Sequence, residues 1–165
     1  MKSKTENITI SVEQATKRLE QLCAKAEHCT SELYEKLRKW GISASDSAKI
    51  MERLQENRFV DDFRFTQAFV NDKIRFSRWG QRKILAALYA KHIDTEIIRE
   101  VLGSIEKDEI ESNLNTLISA KMRTMKEENP RERKMKLLRF GISRGYSYDD
   151  VVAAIRRCLS HESED

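Results

Sequence analysis

The amino-acid sequence predicts an all-α protein made of three tandem three-helix repeats that form an elongated, curved molecule. Three observations carry this expectation. A single proline and five glycines stand in a chain rich in Leu, Ile, Ala, Lys, Arg and Glu, a composition that favours helix almost throughout. Helix-capping residues followed by apolar stripes at helical spacing recur along the chain. The whole pattern returns after about fifty residues, and units of that size bury too little apolar surface to be stable without neighbours.

Residues 1–10 are polar and are expected to be frayed. The first repeat, 11–57, opens with Ser11 and Gln14 at capping-box spacing, where each side chain satisfies the other residue's backbone N–H. Ala15, Leu19, Leu22, Cys23 and Ala26 supply the first stripe. A second helix starts near Thr30, has Glu32 in its first turn, turns Leu33 and Leu37 inward and ends at Gly41, which adopts the left-handed conformation at low cost. Ser43 or Ser45 caps a third helix carrying Ala48, Ile50, Met51 and Leu54.

The second repeat, 58–103, begins with the apolar pair Phe59 and Val60. Asp61 is placed to cap the next helix, and Asp62 adds negative charge at its positive end. Phe65, Phe69, Ile74 and Phe76, with Ala68 and Val70 between them, predict a broad buried face. The pattern breaks around Ser77–Gly80; Gly80 opens a helix that carries Ile84, Leu85 and Leu88 inward, and Asp94 opens one with Ile97, Ile98, Val101 and Leu102. Leu33, Leu37 and Ile42 thereby align with Ile84, Leu88 and Ile93.

In the third repeat, 104–160, Ile110, Leu114, Leu117, Ile118 and Met122 mark a long first helix. Asn129 and Pro130 start the second, with proline at the first helical position. Ser147 and Asp150 cap a last helix bearing Val151, Val152, Ile155 and Leu159. Leu137, Gly145 and Tyr146 match Leu33, Gly41 and Ile42, whereas Gly141 falls where Leu37 and Leu88 sit. Residues 161–165 form an acidic tail with Glu162, Glu164 and Asp165.

The longest apolar runs are far shorter than the roughly 20 residues needed to cross a bilayer, and the N-terminus has no apolar signal core, so a cytoplasmic protein is expected. Cys23, Cys29 and Cys158 are too few for a disulfide framework, and no second thiol pair completes a zinc site with Cys23, His28 and Cys29. No phosphate-cradling glycine loop and no H-E-x-x-H run occurs, and His28, His92 and His161 lie far apart and read as surface residues. Asp61 and Asp62 could pair on a metal, but helix capping explains both. Neither catalysis nor a cofactor or metal is expected.

A net charge of +4 is modest, and its distribution says more. Lys73, Arg75, Arg78, Arg82 and Lys83 gather at the elbow around Gly80 together with Trp79. They either solvate a helical corner or form a binding surface, and Trp79 is either an interface anchor or a plug between helices. Arg131, Arg133, Lys134, Lys136, Arg139 and Arg144 face the single acid Glu132. Such same-sign density suggests an acidic partner, either phosphate or a carboxylate-rich protein surface.

The run Phe59-Val60-Asp61-Asp62-Phe63-Arg64-Phe65, followed by Trp79-Gly80, Lys83-Ile84 and Leu88, resembles the signature of the RecX family of bacterial recombination regulators. Arg144-Gly145-Tyr146 resembles another family motif, and the likeness extends from about Ser11 to Leu159. Arg78 stands where many members have glycine, and Phe140-Gly141 replaces bulkier apolar residues. The resemblance implies a modulator, usually an inhibitor, of the RecA recombinase: three three-helix repeats lying in the groove of the RecA–DNA filament, bridging protomers and opposing filament growth. ATP hydrolysis, strand exchange and coprotease activity fall as a result. It makes Phe59, Val60, Asp61, Asp62, Arg64, Phe65, Gly80, Ile84, Leu88, Gly145 and Tyr146 mainly structural. The expected contacts to RecA or DNA are Lys73, Arg75, Arg78, Trp79, Arg82, Lys83, Arg133, Lys134, Lys136, Arg139 and Arg144. The expected partner is the RecA filament, with weak, non-specific contact to single-stranded or duplex DNA, no membrane, and a monomeric chain. Two other readings fit the same residues: a stand-alone helical DNA-binding protein, and a helical-repeat scaffold for another protein.

Overall fold

The computed structural model describes residues 9–126 and 129–162, with side chains through 160, and every regular element among them is an α-helix. In order these are α1 (Val12–Lys25), α2 (Thr30–Lys39), α3 (Ala44–Glu56), α4 (Asp62–Arg75), α5 (Gln81–Ala90), α6 (Thr95–Gly103), α7 (Lys107–Thr124), α8 (Pro130–Ser143) and α9 (Tyr148–Glu162). The fold is an all-α helical repeat. Expectations for residues 1–8, for the side chain of His161 and for the acidic tail lie outside the described residues. Two compact units emerge: one takes the chain up to Ala68 together with Lys91–Ile97, the other takes Phe69–Ala90 and everything from Ile98 onward.

In the first unit the Ser11–Gln14 capping box forms in full, with both hydrogen bonds at 3.1 Å. The Ile10 side chain packs on the core of Ala15, Leu19, Leu33, Leu37, Ile50, Met51, Leu54 and Val60. Ser43 is the cap of α3, accepting from the Asp46 N–H at 3.1 Å. Ala48, expected to face inward, is exposed. Ser47 takes the buried position instead, since it precedes Ile50 and Met51 by three and four residues and so lies on their face.

The aspartate pair after Val60 divides its work between two helices. Asp61 caps α4, its Oδ1 accepting from the Arg64 N–H at 3.0 Å. Asp62 reaches back in space to α2 and accepts the Thr30 N–H at 2.7 Å, supplying the cap that Cys29, at the N-cap position, does not provide. Arg64 donates to Glu27 at 2.6 Å and to the Arg58 carbonyl at 3.1 Å, closing the turn between α3 and α4. Ser31 donates to the Lys91 carbonyl at 2.5 Å, and the Lys91 ammonium group meets Glu32, whose other oxygen lies 3.3 Å from His28 Nδ1. Burial pushes the Glu32 carboxyl up, but the hydrogen bonds from Lys91 and His28 outweigh it and hold the group below the usual range.

In the second unit α7, α8 and α9 enclose Leu114, Ile118, Met122, Leu137, Tyr146, Val151, Ala154, Ile155 and Cys158. Gly141 belongs here for a spatial reason: a Cβ on it would lie 2.6 and 2.7 Å from the two methyl groups of Val151. Two expected core residues fall outside. Leu159 is 41% exposed, because the inward stripe of α9 runs Val151, Ala154, Ile155, Cys158. Phe76 is 80% exposed. The buried stripe of α4 steps by four through Thr66, Val70 and Ile74, and two residues beyond Ile74 the helix presents its opposite side.

Losing a side-chain cap costs about 1 kcal/mol. Asp62→Ala should therefore lower stability by about that amount and speed hydrogen exchange at the Thr30 amide, leaving the first turn of α4 protected, while Asp61→Ala should do the reverse. Native-state hydrogen exchange of the two variants checks this; loss of protection confined to α4 in Asp62→Ala would refute the cross-capping.

Candidate functional site

The expected elbow is a short, tightly specified turn between α4 and α5. The Phe76 N–H still bonds to the Asp72 carbonyl at 3.0 Å; the chain then reverses through Arg78, whose φ of 49° lies in the left-handed region, and Trp79 donates back to the Lys73 carbonyl at 3.0 Å. Gly80 accepts from the Ile84 N–H at 3.3 Å and so opens α5. An arginine in this backbone conformation is strained relative to glycine.

The turn between α8 and α9 holds this elbow from the other side. Gly80 donates to the Arg144 carbonyl at 2.8 Å, and Arg82 donates to the Gly145 carbonyl at 3.1 Å. The Arg144 guanidinium donates to the Ser77 carbonyl at 2.7 Å, and the Tyr146 hydroxyl donates to the Arg78 carbonyl at 2.9 Å. Two glycines make the approach possible. A Cβ on Gly80 would lie 2.3 Å from Gly145 backbone atoms; one on Gly145, where φ is 97°, would lie 2.4 Å from the Lys83 Cβ. Tyr146 is buried, and that burial, partly opposed by Arg144 and Arg78, pushes its phenol up to about 12.

The basic residues of the elbow separate into two groups. Lys73 and Lys83 are half-buried, with their ammonium groups 5.1 and 4.5 Å from the centre of the Trp79 ring. Lys73 also lies 5.3 Å from the Phe69 ring and 3.2 Å from the Asp72 carboxylate. Trp79 is thus neither a bare anchor nor a core plug: it is half-buried and held in cation–π contacts. Arg75, Arg78 and Arg82 are exposed, and none of them makes an ion pair among the described residues. On α8, Lys134, Lys136 and Arg139 are exposed and Arg133 is half-buried. Arg144 is brought onto the elbow, where one of its donors is already engaged.

The signature residues have structural contacts throughout. Besides the two aspartates and Arg64, Phe59 packs on the first core, Val60 is buried, and Phe65 lies beneath the Lys91 ammonium group at 5.6 Å. Ile84 and Leu88 are fully buried. Asp61 and Asp62 cap different helices, Asp61 its own α4 and Asp62 the start of α2. Sequence reasoning missed that capping across helices and the Gly80–Gly145 approach; paired glycines in two turns were the only signal of the latter.

Two family models match this chain: RecX, second three-helix domain, over residues 61–102, and RecX, third three-helix domain, over residues 108–155. Together they cover more than half of the chain. The chain belongs to the RecX family. The regulatory protein RecX of Chlorobaculum tepidum is 30% identical over 142 residues, 86% of each chain. That of Clostridium tetani is 29% identical over 130 residues, which are 78% of this chain. The chain spans only 59% of the length of the Clostridium tetani relative and 62% of that of a Clostridium botulinum relative. Two solved RecX structures share the fold at 18% identity. One, a crystal structure of regulatory protein RecX, has a TM-score of 0.80 over 88% of this chain and 73% of its own; RecX from Lactobacillus salivarius gives 0.78 over 89% and 96%.

The Tyr146 shift has a measurable consequence. Below pH 10 the phenol is neutral whether the chain is folded or unfolded, and its contribution to stability is complete. Between 10 and about 12 the unfolded chain ionises first, so stability falls as pH rises through that window. In an alkaline titration of phenolate absorbance, one of the four tyrosines should lag to about 12, and the lagging step should vanish in Tyr146→Phe. The same variant should lose roughly 1 kcal/mol of stability; four tyrosines titrating together in the native protein would refute the assignment.

Proposed function

We propose that this protein regulates the RecA recombinase, as an inhibitor that binds in the groove of the RecA–DNA filament and opposes its extension. Loss of ATP hydrolysis, strand exchange and coprotease activity would follow. Family membership carries the proposal, and the relatives bear the name regulatory protein. Its repeats, taken as 11–57, 58–103 and 104–160, are read as contacting several protomers, so that individually weak contacts reinforce one another.

Lys73, Arg75, Arg78, Trp79, Arg82 and Lys83 at the elbow, with Arg133, Lys134, Lys136, Arg139 and Arg144 on and after α8, are the proposed contact residues. Among them Arg75, Arg78 and Arg82 are exposed and make no ion pair among the described residues, which suits acidic protein side chains or phosphates, and such cations set association rate and selectivity more than the stability of the fold. Arg144 also supports the Ser77 carbonyl, which makes it a poor probe of contact. On this reading the protein is a cytoplasmic monomer without enzymatic activity or a cofactor, and its direct contact with DNA is weak and non-specific.

Single-stranded-DNA-dependent ATP hydrolysis by the cognate RecA, titrated with this protein well below one per protomer, tests the proposal. Strong inhibition at such ratios is expected of a protein acting on a polymer. Inhibition only when the protein saturates the DNA would instead favour simple competition for the strand.

Charge reversal tests the surface. Lys134→Glu with Arg139→Glu, and separately Arg75→Glu with Arg82→Glu, should each raise the half-inhibiting concentration by roughly tenfold, equivalent to about 1.4 kcal/mol. Far-UV circular dichroism should be unchanged, because these side chains are exposed. Unaltered inhibition after both reversals would remove these residues from the contact surface.

A further inference from the structure

We propose that the elbow tip, Arg75-Phe76-Ser77-Arg78, is a clamp for single-stranded nucleic acid. An unpaired base stacks on the Phe76 ring while Arg75 and Arg78 engage the flanking phosphates. This goes beyond the filament reading, because it requires no recombinase: the chain itself distinguishes single strand from duplex.

The first observation is Phe76 itself. At 80% exposure it stands well clear of the next most exposed large apolar side chain among the described residues, Tyr148 at 56%. The fold does not require it there. The buried stripe of α4 is complete without it, and a polar residue at this position would save the unfavourable exposure of an aromatic ring to water. Its neighbour Trp79 is held by Lys73 and Lys83, so Phe76 is the aromatic of the elbow that offers an open surface.

The second observation, independent of the first, is Arg78. Its φ of 49° is one that glycine adopts without cost, yet the position carries a long cation that is exposed and makes no ion pair among the described residues. A strained backbone residue whose side chain is exposed and makes no ion pair among the described residues points to a use for that side chain. The strain is held in place by the Ser77 carbonyl on Arg144, the Arg78 carbonyl on Tyr146 and the Gly80 N–H on the Arg144 carbonyl. Phe76 and Arg78 therefore project from a backbone already ordered in the unbound protein, which lowers the entropic cost of binding.

Charge selects the partner. Residues 75–83 contain four basic side chains and no acid, which suits a polyanion. An acidic protein segment would satisfy the arginines but leave the ring without a complementary surface. A duplex would satisfy the arginines too, but its bases are stacked on one another and present no face to Phe76. A single strand supplies both phosphate and an accessible base, the combination used by stacking platforms in basic grooves.

Fluorescence anisotropy with a short labelled oligothymidylate, and with the matching duplex, tests this on the full chain without RecA. Phe76→Ala should weaken single-strand binding by about 5- to 100-fold and leave duplex binding unchanged. Arg78→Gly should reduce the salt dependence of single-strand binding by about 0.7 in log–log slope, with a melting temperature equal to or above that of the wild type. The melting temperature separates loss of contact from loss of fold, since relief of a strained φ cannot itself unfold the elbow. The proposal is overturned if the wild-type chain fails to bind the oligonucleotide at low salt, or if Phe76→Ala binds it normally. It is overturned equally if strand and duplex lose affinity alike, or if Phe76→Ala affects only binding of a glutamate-rich peptide. Since RecA is absent from the assay, none of these outcomes bears on inhibition measured by ATP hydrolysis.

Discussion

How helices stop governs much of this fold. A helix leaves its last carbonyls without partners, and one economical remedy is a left-handed residue just past the end, followed by an apolar residue that packs back. Among the described residues the chain uses this device at three turns. After α2, Gly41 has φ 75° and Ile42 donates to the Leu37 carbonyl at 3.1 Å; after α3, Arg58 has φ 57° and Phe59 donates to Leu54 at 2.8 Å; after α8, Gly145 has φ 97° and Tyr146 donates to Gly141 at 3.3 Å. His92, with φ 55°, occupies the matching position after α5. In each of the three turns the apolar follower belongs to a core: Ile42 and Phe59 in one, Tyr146 in the other. Chain reversal and core packing are therefore the same event.

That economy explains why the residues most characteristic of the family have so little left to offer a partner. Asp62 is committed to the Thr30 amide at 2.7 Å and Arg64 to Glu27 at 2.6 Å. Gly80 and Gly145 have no side chains, and the Tyr146 hydroxyl is occupied by the Arg78 carbonyl. Such groups determine where recognition elements stand. On the reading proposed above, recognition itself falls to side chains whose removal the fold would tolerate, namely the exposed cations of the elbow and of α8.

Local features of the fold were readable in the sequence because they act over a few residues. The Ser11–Gln14 box, the Asn129–Pro130 start and the Asp61 cap each depend on three or four positions, and all occur as the spacing predicts. The failures share a different cause. Asp62 looks like a first-turn acid of its own helix, and only the folded chain brings it to an amide 32 positions away. Gly80 and Gly145 read as two separate turn glycines, although a Cβ on either would strike the turn that carries the other. Ala48 and Phe76 were misplaced by counting apolar residues rather than following one helical stripe: a step of two residues from Ile74 crosses the helix, whatever the chemistry of the side chain reached.

The elbow also shows why a basic cluster cannot be treated as a set of equivalent charges. Arg78 supplies its carbonyl to Tyr146 and its side chain to solvent. Arg144 does nearly the opposite, because its guanidinium fixes the Ser77 carbonyl and its own carbonyl receives the Gly80 N–H. Removing the Arg144 side chain leaves a part-buried carbonyl without that donor, so the elbow would shift and every cation on it would move together. Removing the Arg78 side chain leaves the backbone hydrogen bonds standing and relieves φ strain. Two arginines of one turn, equally basic in the sequence, thus sit on opposite sides of the line between what positions a surface and what the surface presents.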